Sequence, residues 1–296
     1  RLMARRGGAS LVYTEMVSAA GLVRDRPRTR RLLTVLEEER PLSVQIFGAD
    51  PEVIYQASRL VSSHPVDILD LNLGCPAKKV RRQGAGSALL DDPVRAAEVV
   101  TAAVQGSSLP VTVKLRLGYK ENDLENILPG IIKAGIAAVC LHARTVRQGF
   151  GGQADWEAIA DLKKWCPVPV IGNGDAASAA EAVRLLQTTG CDAVMIGRAS
   201  MGDPWIFGRA ADRLAGRPAR KISLEERRQA LSEHVLLAQK LGGRGHALHF
   251  MRKFMMWYTR GLPGASAFRR AAGPAQDLQE LWRLSDRYFE GLKEVA

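Results

Sequence analysis

Short runs of apolar and β-branched residues recur through the first two-thirds of the chain, and each gives way to a stretch with helical spacing. The runs are 9–16 (ASLVYTEM), 42–47 (LSVQIF), 67–73 (DILDLNL), 110–117 (PVTVKLRL), 137–142 (AAVCLH), 167–172 (PVPVIG) and 192–197 (DAVMIG). Seven strands alternating with helices predict repeated parallel βαβ units. Asp50-Pro51 and Asp92-Pro93 each set an N-cap before a proline at the first helical position. After about residue 208 only the helical pattern remains. Ser223 and Glu226 form a capping box, and Leu224, Leu231, Val235 and Leu236 follow at helical spacing. Further helices are expected over 246–260 and 274–293, with Gly216-Arg217-Pro218 as the linker.

Seven strands are one short of a closed barrel, and the chain opens in what reads as a helix remnant, Arg1 to Arg6. The expected architecture is an α/β (β/α)8 TIM barrel whose first strand is missing from this chain, over residues 1–215, followed by an all-helical domain over 216–296. An open doubly wound sheet is the alternative.

Strand parity assigns faces, because successive side chains point to opposite sides. The apolar set Leu42, Val44, Ile46, Leu69, Leu71, Leu73, Val111, Val113, Leu115, Val139 and Leu141 must meet the surrounding helices. Gln45, Asp70, Asn72, Thr112, Lys114, Arg116 and His142 are left for the other face. Barrel interiors are normally filled by branched apolar residues, so Gln45, Asn72, Lys114 and His142 near the strand ends imply a polar ligand. A polar network that satisfies itself is the competing reading.

The strand 67–73 runs into a glycine-flexed loop holding Cys75 beside Lys78, Lys79, Arg81 and Arg82. That places a thiol and four cations at the mouth. An unperturbed thiol is mostly protonated at neutral pH and suits a proton donor. Nearby cations push toward thiolate, so a nucleophile paired with His142 stays open. The other cysteines, Cys140, Cys166 and Cys191, show no C-x-x-C pairing, and neither a metal site nor a disulfide framework is expected. Asn173-Gly174-Asp175 and Gly197-Arg198 follow the last two strands, where this fold commonly binds phosphate.

Charge sharpens the division of the chain. Residues 1–208 carry 25 Lys and Arg against 22 Asp and Glu, whereas 209–296 carry 17 against 9. A basic helical tail suits a polyanion. No run approaches the roughly 18 apolar residues of a membrane span, so a cytoplasmic protein without a membrane partner is expected.

The segment Leu71 to Val80 (LNLGCPAKKV), followed by Gly84 to Leu90, closely resembles the signature of tRNA-dihydrouridine synthases, particularly the bacterial B-type subfamily. So do Val44-Gln45-Ile46, Lys114 to Arg116, Leu141 to Thr145, Asn173 to Asp175, Gly197-Arg198, Asp203 to Phe207, Arg252-Lys253 and Trp257-Tyr258. The resemblance implies a flavin mononucleotide (FMN) held by Gln45, Lys114, His142, Asn173, Gly174, Asp175, Gly197 and Arg198. It further implies NADPH or NADH as reductant, hydride transfer to C6 of uracil, and Cys75 as the proton donor to C5. tRNA would be the partner, of a monomer, with Asn72, Lys78, Lys79, Arg81, Arg82, Arg116 and Arg144 around the base. Arg252 and Lys253, with Arg260, Arg269 and Arg270, would meet phosphates. Members of the family carry an Ala-Pro-Met strand before the point where this chain begins. Two rivals are a flavin barrel reducing free pyrimidines, similar to dihydroorotate dehydrogenases, and a non-catalytic RNA-binding protein.

Overall fold

Eight short parallel strands form one sheet in the computed structural model, which describes residues 1–242 and 244–293. They are β1 (Val12–Tyr13), β2 (Val17–Ser18), β3 (Leu42–Phe47), β4 (Ile68–Asn72), β5 (Val111–Arg116), β6 (Ala138–His142), β7 (Val170–Asn173) and β8 (Ala193–Met195). Both β1 and β2 pair with β3, and the order then follows the sequence to β8. The run 9–16 contains only β1, where Val12 aligns with Leu42; after a break β2, just beyond that run, aligns Val17 with Ile46 on the same neighbour. The seven expected runs occupy seven successive positions in the sheet, with a helix before each strand from β4 to β8.

The sheet is curled, as a (β/α) barrel requires. Neighbouring strands lie about 4.8 Å apart, so strands two positions apart would be about 10 Å apart if flat. Yet the Lys114 Nζ on β5 lies 3.1 Å from Asn173 Oδ1 on β7, and the Cys140 Sγ on β6 lies 3.7 Å from Met195 Sδ on β8. Side chains of one face converge on a concave surface. The other face is apolar and buried: Leu42, Val44, Ile46, Leu69, Leu71, Val113, Leu115, Val139 and Leu141 are at most 1 % exposed. Flanking helices cover it with residues such as Ile54, Val61, Val99, Ile127, Ile131 and Ile159. The expected N-caps form. Asp50 accepts from the Glu52 and Val53 N–H groups, and Asp92 from Arg95.

Backbone contacts separate the chain into two compact units, Arg1–Arg5 with Ala9–Ile196, and Arg6–Gly8 with Gly197–Ala296. The second unit is helical: Ile206–Leu214, Leu224–Gly242, Arg244–Tyr258, Ala265–Ala272 and Leu278–Lys293. The Ser223 and Glu226 capping box closes in both directions, at 2.9 and 3.1 Å. The helix Ala265–Ala272 is an addition to the sequence pattern. It starts after Gly264 in a left-handed conformation and has no side-chain cap, so no local start signal announces it. Among the described residues no helix is long and apolar enough to cross a membrane, no metal-binding cluster occurs, and all four cysteines are free.

Candidate active site

Strand register brings the polar residues of β3 to β7 to one face. Gln45 aligns with Asp70, Asp70 with Thr112, Asn72 with Lys114, Lys114 with Cys140, Arg116 with His142, and His142 with Asn173. Because parallel neighbours in register share a face, all of these side chains project to the concave side.

A continuous hydrogen-bonded chain starts at the fully buried Asp70. Thr112 Oγ1 donates to one Asp70 oxygen at 2.5 Å, and Gln45 Nε2 to the other at 2.7 Å. Gln45 Oε1 accepts from Asn72 Nδ2 at 2.9 Å, and Asn72 Oδ1 accepts the Cys75 N–H at 2.9 Å and the Gly74 N–H at 3.2 Å. Each link fixes the orientation of the next amide, so the Cys75 turn is set from the sheet interior. Burial lifts the Asp70 carboxyl to a pKa of about 6, against the bonds from Thr112 and Gln45 and the Lys114 charge. The turn closes on itself as well. Gly86 sits at φ +61°, and a Cβ there would come within 3.0 Å of the Cys75 carbonyl oxygen and 2.9 Å of Val80, so the loop needs glycine at this position. Cys75 itself stays partly exposed.

Toward the ends of β5 and β6 the site is cationic. Arg116 is 3 % exposed and donates to carbonyl oxygens only: Gly74 at 3.2 Å, Thr145 at 2.9 Å and Gly149 at 2.8 Å. Arg144, 2 % exposed, donates to Gly151 and Gly152 and pairs with Asp175 at 2.8 Å. Burial, followed by the charges of Lys114, Arg116 and Arg144, pushes His142 down to a pKa of about 3. Its imidazole is therefore neutral at physiological pH and can act as donor or acceptor. Asp175 lies on a left-handed turn (φ +56°) after Gly174, a conformation aspartate tolerates. Burial raises its pKa, but the Ala154 N–H and the Arg144 guanidinium outweigh this and hold the carboxylate below its usual range.

The remaining expected residues are placed differently. Lys78, Lys79 and Arg82 are exposed around the short helix Lys78–Arg81. Arg81 is engaged, pairing with Asp91 at 3.0 Å and lying 4.4 Å over the Tyr119 ring. Gly197 and Arg198 belong to the second unit and are exposed at the turn Arg198–Ser200. There too, Lys253, Arg260 and Arg270 are exposed, whereas Arg252 is half-buried and donates to the Ala275 carbonyl. Asp70 and Thr112 are members of the network that strand parity put on the polar face without giving them a role. Their signal was their register with Gln45. Phe150 is a further aromatic at the site, its ring 6.1 Å from His142, on a loop that carries no periodicity.

The family model for dihydrouridine synthases matches residues 1–292. The chain belongs to the dihydrouridine synthase family. A probable tRNA-dihydrouridine synthase of Mycobacterium tuberculosis (strain H37Rv) is 38 % identical over 287 residues, covering 94 % of this chain and 74 % of that protein. The tRNA-dihydrouridine synthase B of Xanthomonas axonopodis pv. citri is 36 % identical over 297 residues, covering 99 % and 89 %. Among solved structures, histamine dehydrogenase from Rhizobium sp. 4-9 superposes with a TM-score of 0.50 at 13 % identity. It covers 73 % of this chain and 42 % of that one, a likeness of fold alone. In this member of the family the buried network holds the Cys75 turn in place.

Proposed function

We propose that this chain reduces the C5=C6 bond of uridines in transfer RNA, those of the D-loop in particular, with FMN as prosthetic group and NADPH or NADH as electron source. The carrying observation is a concave face rich in hydrogen-bond donors directly beneath the Cys75 turn, in a chain whose relatives are named tRNA-dihydrouridine synthases.

The donor set fits a flavin. Its ring system and phosphate present mainly acceptors. Lys114 uses one of three N–H bonds on Asn173, and the Gln45 and Asn72 amides each use one of two. Gln45, Lys114, His142, Asn173, Gly174 and Asp175 would hold the group. A bound flavin would supply a hydride to C6 of the base, and the chain's own residues supply the rest. Cys75 Sγ donates the proton to C5 and regains one from solvent. Asn72 keeps the Cys75 turn in place, and Lys114 would offer a positive charge to a bound flavin. Neutral His142 contributes a hydrogen bond without adding a cation beside Arg116 and Arg144. Exposed Lys78, Lys79 and Arg82 face the RNA chain, whereas Arg116 and Arg144, expected around the base, are nearly inaccessible and hold the loop that follows β6.

We further propose residues 1–215 as the catalytic barrel domain and 216–296 as the RNA-binding domain, where exposed Lys253, Arg260 and Arg270 meet phosphates. Dihydrouridine mapping in transfer RNA from a strain lacking this gene, with and without the gene restored, tests the reading. A position that loses the modification and regains it is expected; identical maps would refute the proposal.

A further inference from the structure

Phe150 is 61 % exposed, although the backbone on both sides of it is tightly held. The Gly149 carbonyl accepts from Arg116 at 2.8 Å, and those of Gly151 and Gly152 accept from Arg144 at 3.1 and 2.7 Å. Internal bonds add to this: the Gln148 side chain accepts the Thr145 N–H at 2.7 Å, and the Gly151 N–H reaches the Gln148 carbonyl at 2.8 Å. Three glycines within four residues would ordinarily leave such a loop loose. Here two arginines, each nearly inaccessible, fix it.

A single exposed phenylalanine is common on protein surfaces. This one differs because of what holds it. Arg116 binds both the Gly149 carbonyl, next to Phe150, and the Gly74 carbonyl, next to Cys75. Its guanidinium lies 5.5 Å from the Phe150 ring centroid. One buried cation thus ties the aromatic ring to the cysteine turn, and Phe150 keeps its exposure to solvent. Exposed Lys78, Lys79 and Arg82 follow the cysteine turn in the chain, exposed Arg147 precedes Phe150 by three residues, and such charges suit a polyanion.

We propose that Phe150 is a stacking platform for an unpaired nucleobase of the RNA substrate. The inference rests on the RNA reading above and adds a recognition residue to it. A planar π-surface held rigid among cations matches single-stranded nucleic acid, in which each base offers a face and each phosphate a charge. Pre-ordering the loop removes the entropic cost of immobilising the ring when the base arrives.

The test uses the full chain and the variants Phe150→Leu, which keeps an apolar side chain without a ring, and Phe150→Trp, which keeps a ring. A single-stranded oligouridylate bearing one 2-aminopurine reports stacking by fluorescence quenching, independently of turnover. Quenching by wild type and Phe150→Trp but not by Phe150→Leu is expected. With unmodified tRNA transcript, kcat/KM for Phe150→Leu should fall about 10- to 100-fold, and Phe150→Trp should restore it. Equal quenching by all three proteins, or a Phe150→Leu enzyme with wild-type kcat/KM, would overturn the assignment. Quenching that follows the ring, in a wild-type protein that forms no dihydrouridine, would uphold the stacking site and reject the proposed reaction instead.

Discussion

The two units use charge in opposite ways. In the sheet unit the polar groups of the concave face are buried and partnered: Asp70, Gln45, Asn72, Arg116 and Arg144 are at most 7 % exposed, and each has named partners. In the helical unit the excess positive charge sits on the outside. Lys253, Arg260, Arg270, Arg283 and Arg287 are exposed and form no ion pair among the described residues. Others are neutralised locally, as Arg228 is by Asp286 and Arg217 by Asp212. Buried polar groups cost free energy unless partnered, so they persist where geometry must be held to a fraction of an ångström. Solvated charges cost little and act at a distance. The sheet unit is thus suited to positioning atoms, and the helical unit to attracting a polyanion.

The contrast predicts effects of different size and kind. Cys75→Ala should lower dihydrouridine formation by about 10²- to 10⁴-fold, the range of a positioned proton donor, while transfer RNA affinity stays constant. Unchanged turnover, measured as dihydrouridine per enzyme, would remove the thiol from the chemistry. Asp70→Asn should destabilise the sheet unit by about 1–3 kcal/mol in urea unfolding, because one oxygen that accepts a hydrogen bond becomes a donor facing a donor. Single charge removals such as Lys253→Ala should stay within about 0.5 kcal/mol. Equal costs for the two substitutions would erase the distinction between the units.

Reversing Lys253, Arg260 and Arg270 to Glu together should weaken transfer RNA binding and flatten its dependence on salt, by about one unit of log–log slope for every phosphate that is no longer neutralised. Salt titrations that superimpose with wild type would clear these three residues. The smallest effect concerns pH. His142 titrates near 3 in the folded chain and near 6.5 when unfolded, so stability drops as pH falls from about 6.5 toward 3. Asp70 acts in the opposite sense: it keeps its proton to about pH 6 when folded and only to about 3.8 when unfolded, so its contribution grows as pH falls from 6 to 4. The two slopes partly cancel. His234, likewise held down to about 4 by burial, adds an acid loss of its own, so His142→Asn should lessen rather than reverse the loss of stability between pH 6 and 4, and an acid loss as steep as that of wild type would contradict the assignment.

Much of this is legible in the sequence. Period-2 alternation put Gln45, Asn72, Lys114 and His142 on one face, and the register of β3 to β6 agrees. The N-caps at Asp50 and Asp92 and the box at Ser223 and Glu226 are local rules obeyed locally. The helix Ala265–Ala272 had no such rule to announce it. The pairing of Arg144 with Asp175 spans 31 residues, and that of Thr112 with Asp70 spans 42.

By itself the sequence determined most of the strands and helices, which faces are apolar, where the charge lies, and that a thiol follows the strand Ile68–Asn72. Those properties follow from neighbours within a few positions, where sterics and periodicity act. Only the tertiary structure decided which polar group meets which, that Asp70 anchors the cysteine turn through two amides, and that buried arginines clamp the loop of Phe150. Hydrogen bonds reach about 3 Å, and only the curled sheet brings residues so far apart in sequence within that distance.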